Sequence, residues 1–210
     1  MRRLRSRFTS KAHFKVRESR REDCKAELSH DYGGNGHGYG VVFSDNATRC
    51  YAFNNACGSL RHPFHIQRGA NHCVYAYNRS WRGDVPERGK APHDCRFHGG
   101  WTNNNLMEGN AAHVWMADSV NAVNGTHNVI FRNRGDFGKY ENGSAWIVVG
   151  NEFTHRDQRG PDGAEDLSGA NILWDGSVGP GAIETGLPAS LCFATQPDFL
   201  SGDWPVYGPR

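Results

Sequence analysis

The sequence has no run of about eighteen apolar residues, so nothing in it reads as a membrane-spanning helix. Its Arg-rich start is followed by no apolar h-region, which excludes a secretory signal peptide of the usual design. The six cysteines, at 24, 50, 57, 73, 95 and 192, match no zinc-ligand spacing, and leave open whether they pair in an exported chain or stay as half-buried thiols. Charge of one sign is lacking too. The chain has 24 Lys and Arg against 22 Asp and Glu, a formal net charge of +2, so the whole molecule has no strong pull on nucleic acid or membrane. Alanine, leucine and lysine are modest for a helical protein, whereas 26 glycines and abundant asparagine suit short strands joined by tight turns. The glycine-rich stretch Tyr32–Gly40 leads into Val41-Val42-Phe43, which has no helical period. That excludes a phosphate cradle and predicts a tight turn where backbones approach closely. At 210 residues the chain fits one sizeable domain.

What is present is a repeat. Cys50–Asn54, Val74–Asn78, Leu106–Asn110, Val129–Asn133 and Ile147–Asn151 each open on an apolar residue and end four positions later on asparagine. A period in the twenties with one apolar strand per unit predicts an all-β solenoid. Stacked coils would lie about 4.8 Å apart. The asparagines would form a column of amides, each bonding to the next, with the apolar openings filling the core. Glu108 then falls in an inward slot that calls for an apolar residue.

An upstream strand repeats as well: Val41–Ser44, Phe64–Gln67, Cys95–His98 and Val114–Ala117. Their first and third positions are apolar, so period-two alternation turns these inward. The other columns face out and bring His65, Gln67, Asp94, Arg96 and His98 together, with His113 and Trp115 on the next coil. Neighbours on stacked strands stand about 5 Å apart, which makes a concentrated polar patch. His62 has inward parity, so a metal set of His62, His65 and His98 is not expected.

Residues 1–25 hold ten of the Lys and Arg and three acids, the reading of a solvated basic face. Within them Phe14-Lys15-Val16-Arg17-Glu18 mimics the repeat, so the chain is expected to begin inside an incomplete first coil, its N-terminus truncated. Coils follow over 26–152, and 153–210 is a polar loop and a capping tail laid across the open end of the last coil. Residues 82–93, with two prolines and mixed charge, form a loop leading into Asp94 and would wall a groove. Sequons stand at Asn46, Asn78, Asn124 and Asn142. Asn78 is a ladder residue and inaccessible, so Asn46, Asn124 and Asn142 are the candidate glycosylation positions.

His37-Gly38-Tyr39-Gly40, Leu60-Arg61-His62, Gly69-Ala70-Asn71 with Tyr75–Asn78, the Leu187–Leu191 segment and the Trp204–Pro209 tail together resemble bacterial right-handed parallel β-helix proteins of the pectate-lyase-like superfamily. The likeness covers most of residues 28–210. It implies a single-stranded right-handed parallel β-helix of about five to six coils. It also implies an extracellular or cell-surface setting and a polysaccharide partner, since members of that superfamily are lyases, hydrolases, epimerases and phage tailspikes. No motif matches a particular lyase's calcium carboxylates or catalytic arginine.

The chemistry of the patch therefore comes from the residues themselves. Cleaving a uronic-acid polymer by β-elimination needs a cation for the carboxylate, a base and an acid. Arg96 suits the first as a bidentate cation, and His65 and His98 suit the others. Asp94 could orient a histidine or hold a cation, which leaves Ca2+ open as a cofactor, none being demanded. Gln67, Asp94, His113 and Trp115 would contact substrate, Trp115 as a stacking platform. A hydrolase would want clustered carboxylates, for which only Asp94 and Asp118 offer. The expected partner is an acidic polysaccharide or other glycan, with no nucleic acid and no membrane span, and self-association could run through the solenoid ends. The plain alternative is a structural or adhesive solenoid whose polar residues only solvate an outer sheet.

Overall fold

The strands are short because the chain keeps meeting residues that bend it. Arg49, His72, Asn104 and His127 all have φ between 50° and 57°, and Asp23, Asn54, Tyr77, Gly109, Arg132 and Gly150 lie between 49° and 66°. These two recurring sets of left-handed residues bracket each strand of one sheet and turn the chain a few residues after it becomes extended. The computed structural model describes residues 5–9, 12–16, 20–29, 37–81, 93–135, 137–140, 146–153, 172–173 and 187–204.

The described residues form nineteen strands, and the first twelve come in threes. The first three are β1 (Arg5–Thr9), β2 (Ala12–Val16) and β3 (Arg20–Glu22). Then come β4 (Lys25–Ser29), β5 (Tyr39–Phe43) and β6 (Tyr51–Phe53), then β7 (Ala56–Gly58), β8 (His62–Ile66) and β9 (Val74–Ala76). Next are β10 (Arg79–Trp81), β11 (Cys95–Phe97) and β12 (Leu106–Glu108), followed by β13 (Val114–Ala117) and β14 (Val129–Phe131). The last are β15 (Arg134–Gly135), β16 (Phe137–Tyr140), β17 (Ile147–Val149), β18 (Glu152–Phe153) and β19 (Ile172–Leu173). Every ladder is parallel, and the chain visits three sheets in rotation. The first sheet holds β1, β4, β7 and β10, continued through single bridges at Ala111 into β15, β18 and β19. The second holds β2, β5, β8, β11, β13 and β16, and the third β3, β6, β9, β12, β14 and β17. The described residues form no helix. The protein is thus all-β with three parallel sheets, consistent with a parallel β-solenoid.

The asparagine column is present, shifted by one residue at its start. Asn55, not Asn54, heads it, because β6 pairs Tyr51 with Val74 and so removes Cys50 from the opening position. Adjacent asparagines made the two registers equally good on sequence. Asn54 sits in the left-handed turn and bonds Asp23 instead, at 2.7 Å. From Asn55 through Asn78, Asn110, Asn133 and Asn151, each backbone N–H and each Nδ2 donates to the next Oδ1 at 2.8–3.0 Å. A second, shorter column pairs Asn105 with Asn128 in the same way.

The core is filled by the middle residues of the third-sheet strands, not by their openings: Ala52, Tyr75, Met107 and Ile130 are buried there, with Val148 packed against them. They meet Val41, Phe43, Phe64, Ile66, Cys95 and Phe97 from the second sheet. Glu108 accordingly points out of the core. It is buried because the segment 187–204 straps over it, with the Ser190 hydroxyl and the N–H groups of Leu191 and Cys192 donating to its carboxylate. The strap lies on the outer face of the third sheet, where Phe193 and Phe199 pack with Phe53, Ala76 and Tyr77, rather than over an open end. Phe14 and Val16 belong to the second sheet, opposite Val41 and Phe43, so that stretch mimics the upstream strand and not the asparagine repeat. All six cysteines are free thiols, five of them buried. Gly40 marks the expected close approach, since a Cβ there would meet the Pro63 carbonyl at 2.4 Å.

Candidate functional site

Three strands of the second sheet place the polar patch. β8 and β11 pair His65 with Arg96, as the alternation predicted. The next ladder is one residue off the expected register: Cys95 pairs with Trp115 and Arg96 with Met116. Trp115 therefore points inward, is 1% exposed, and belongs to the core. Gly135 makes room for it, because a Cβ at that position would meet the indole Nε1 at 2.4 Å. Its N–H donates to the Ala112 carbonyl at 3.2 Å. Trp115 cannot serve as a stacking platform for substrate.

The slip brings Asp118 into the patch in place of Asp94. Arg96 donates from Nε and Nη2 to Asp118 Oδ2, both at 2.6 Å, and His98 Nδ1 donates to Asp118 Oδ1 at 2.6 Å. The Val120 N–H adds a third donor to that carboxylate. Burial pushes the Asp118 pKa up, but the His98 hydrogen bond and the Arg96 charge outweigh it and hold the carboxyl at about 2. Asp94 lies at the corner before β11, where it accepts from the Ser80 hydroxyl and the His113 N–H. The His113 side chain is exposed.

His62 joins the patch despite its parity. Two successive amides, Arg61 and His62, donate to the one carbonyl of Gly38, the pattern of a bulge, so alternation does not carry across the start of β8. His62 Nδ1 donates to the His93 carbonyl at 2.9 Å, and its Nε2 accepts from Arg96 Nη1 at 2.8 Å. Tyr39 stacks on His65 with centroids 4.8 Å apart, and His98 stands edge-on to His65 at 5.2 Å. Burial, then the charges of His65 and Arg96, push the His62 pKa well down; burial, then His98 and Arg96, do the same to His65. Both rings are neutral at neutral pH, unlike the near-ordinary histidines expected of a proton-transfer pair. Gln67 bonds Ser44 Oγ and Asn121 at the far end of the patch, both at 3.2 Å.

This cluster is an interlocked, mostly buried network, not an open polar face. The Arg96 guanidinium is committed to Asp118 and His62, so it is not free to clamp a uronate carboxylate. His98 alone is half-buried with its Nδ1 held and its Nε2 left over. Among the described residues no group of three or more His, Cys, Asp or Glu is arranged to hold a metal ion, and both nitrogens of His62 are already bonded. The loop over 82–92, from which the groove wall was expected, lies outside the described residues, as does Asn142. Asn46 is exposed, whereas the Asn124 amide is buried and used by Gly99, Thr102 and Asp118, which makes it a poor glycosylation acceptor.

One functional candidate was missed on sequence. Trp101, three residues beyond His98, is 65% exposed. Gly99, Gly100 and Trp101 hold φ of 69°, 76° and 63°, a tight corner in which a Cβ at residue 99 would meet the Ala122 carbonyl at 1.9 Å. Trp101 turns the chain as the other left-handed corner residues do, its N–H donating to the Val123 carbonyl at 2.9 Å, but its indole is turned to solvent. Val120 and Val123 on the following circuit are also exposed, as is Arg68 on the preceding one, whose N–H donates to the Gly99 carbonyl and whose guanidinium lies 3.8 Å from Asp45.

No protein-family model, curated protein or solved structure matches the chain. The chemistry must be read from the side chains themselves. What they offer is an oriented histidine and an exposed indole at the same end of β11, backed by a rigid buried network.

Proposed function

We propose that the chain is a right-handed parallel β-solenoid, of the pectate-lyase-like kind and acting outside the cell, that binds acidic polysaccharide along the corner after the second sheet. His98 is the group that would transfer a proton there. The observation that carries this reading is the placement of Trp101 three residues beyond a His98 whose Nδ1 is fixed by the buried Asp118. The indole face suits the C–H face of a sugar ring, and Arg68 and Asn121 beside it suit carboxylate and hydroxyl groups. Asp118 holds His98 with the proton on Nδ1, which leaves Nε2 as a base of the type β-elimination requires. Arg96 then acts through Asp118 as a positioning residue.

The test is a panel of uronate polymers, followed by retardation in affinity electrophoresis and by absorbance of the unsaturated product, with and without calcium. Trp101→Ala should lose retardation, and His98→Ala should lose product absorbance while keeping retardation. A wild-type chain that neither binds nor cleaves any polymer would sink the proposal. A second reading, a structural or adhesive module, is favoured by one observation: His62, Arg96 and Asp118 satisfy one another beneath the surface, as a coil-locking network would.

A further inference from the structure

We propose that the corner between the first and second sheets, at Arg61, holds a small oxyanion: a carboxylate, phosphate or sulfate group. Arg61 is only 5% exposed, yet its Nε and Nη1 have no hydrogen-bond partner, and no carboxylate pairs with it among the described residues. His65, fully buried within β8, also has neither ring nitrogen bonded. Gln67 is near enough to favour its protonated form. Buried polar groups in native proteins are almost always satisfied, so an orphaned buried guanidinium asks for a missing partner.

Arginine makes that demand sharper than other residues. A buried lysine or histidine can shed its proton, but a guanidinium stays charged, and leaving the charge unpaired is strongly unfavourable. The nearby carboxylates are committed elsewhere: Asp118 to Arg96 and His98, Asp94 to Ser80 and His113. Neither carboxylate is bonded to Arg61. Arg61 is close enough to His62 to disfavour its protonation, after burial, His65 and Arg96 have done so. The backbone is fixed on both sides, with the Arg61 N–H on the Gly38 carbonyl at 2.8 Å and the Arg61 carbonyl accepting from His93 at 3.2 Å. A fixed planar fork with two unused donors matches the two oxygens of a carboxylate or phosphate.

The carboxylate form rests on the polysaccharide reading; the phosphate and sulfate forms do not. Three probes separate them: galacturonate monosaccharide, inorganic phosphate and sulfate, each titrated into the full chain while the thermal midpoint and the Arg61 Nε–H resonance are followed. At least one probe should raise the midpoint and shift that resonance. Arg61→Met should abolish the response, while His98→Ala and Trp101→Ala should keep it, so loss of polymer binding and loss of the oxyanion site are separate results. If Arg61→Met does not fold, Arg61→Lys keeps the charge without the fork and should bind at least tenfold more weakly. No response to any probe, or an unchanged response in both Arg61 variants, overturns the site.

Discussion

Asp118 sets the chemistry of its neighbours by accepting from Arg96 and His98 at once, and its consequence is visible in the response to acid. His62 and His65 are neutral when folded but take up protons when unfolded, so stability falls as pH drops below the unfolded value of about 6.5. Asp118 is the opposite kind of group with the same sign. Its folded pKa of about 2 lies below the unfolded value, so its contribution is complete above about pH 4 and is lost as pH falls toward 2. Urea midpoints measured across pH should therefore decline in two limbs. His65→Leu should flatten the upper limb and Asp118→Asn the lower; a single limb in the wild type would contradict the neutral buried histidines. Two tryptophans give a second contrast. Trp115→Ala should destabilise the fold by about 3–5 kcal/mol, whereas Trp101→Ala should change it by no more than about 0.5 kcal/mol, by thermal or urea unfolding. On sequence Trp115 looked like the exposed platform, and nothing singled out Trp101. Val114 and Met116 fit the inward columns as well as Trp115 and Ala117 do, and only the space left by Gly135 decides between them.

At the scale of single elements, the strand pattern was legible and its register was not fully so. Alternation placed His65 beside Arg96 correctly, because Phe64, Ile66, Cys95 and Phe97 leave one choice. It failed at the bulge before His62 and between the twin asparagines 54 and 55, where two registers bury equal apolar surface. The shorter column of Asn105 and Asn128 could have been found, since each stands immediately before an apolar opening. The C-terminal strap was read as a cap because proline-punctuated apolar residues indicate that something is covered without indicating what. Glu108 is its clip. Glu108→Ala leaves the Leu191 amide without its acceptor, at about 1–3 kcal/mol, and the Cys192 amide with Ser190 Oγ. Hydrogen exchange at residues 191–193 should quicken in that variant while the amides of Asn78, Asn110 and Asn133 stay protected. Unchanged exchange in the strap would show that Phe193 and Phe199 hold it alone.

Across the whole molecule, circuits touch chiefly the ones before and after, so an injury should be felt most in the middle of the stack. Asn110→Ala removes the acceptor for the Asn78 N–H and the donor to the Tyr75 carbonyl. It should lower unfolding free energy by about 3 kcal/mol or more, and Asn151→Ala, at the last described position of the column, should lower it less. Equal losses in the two variants would mean that the stack unfolds without regard to position. The same column has a direction. Each amide from Asn55 to Asn133 donates to the Oδ1 of the next asparagine in the column, so these four side-chain dipoles share one direction instead of cancelling. Aligned amides polarise one another and strengthen together. The stack thus carries along its axis an electrical polarity like that of a helix, built entirely from side chains.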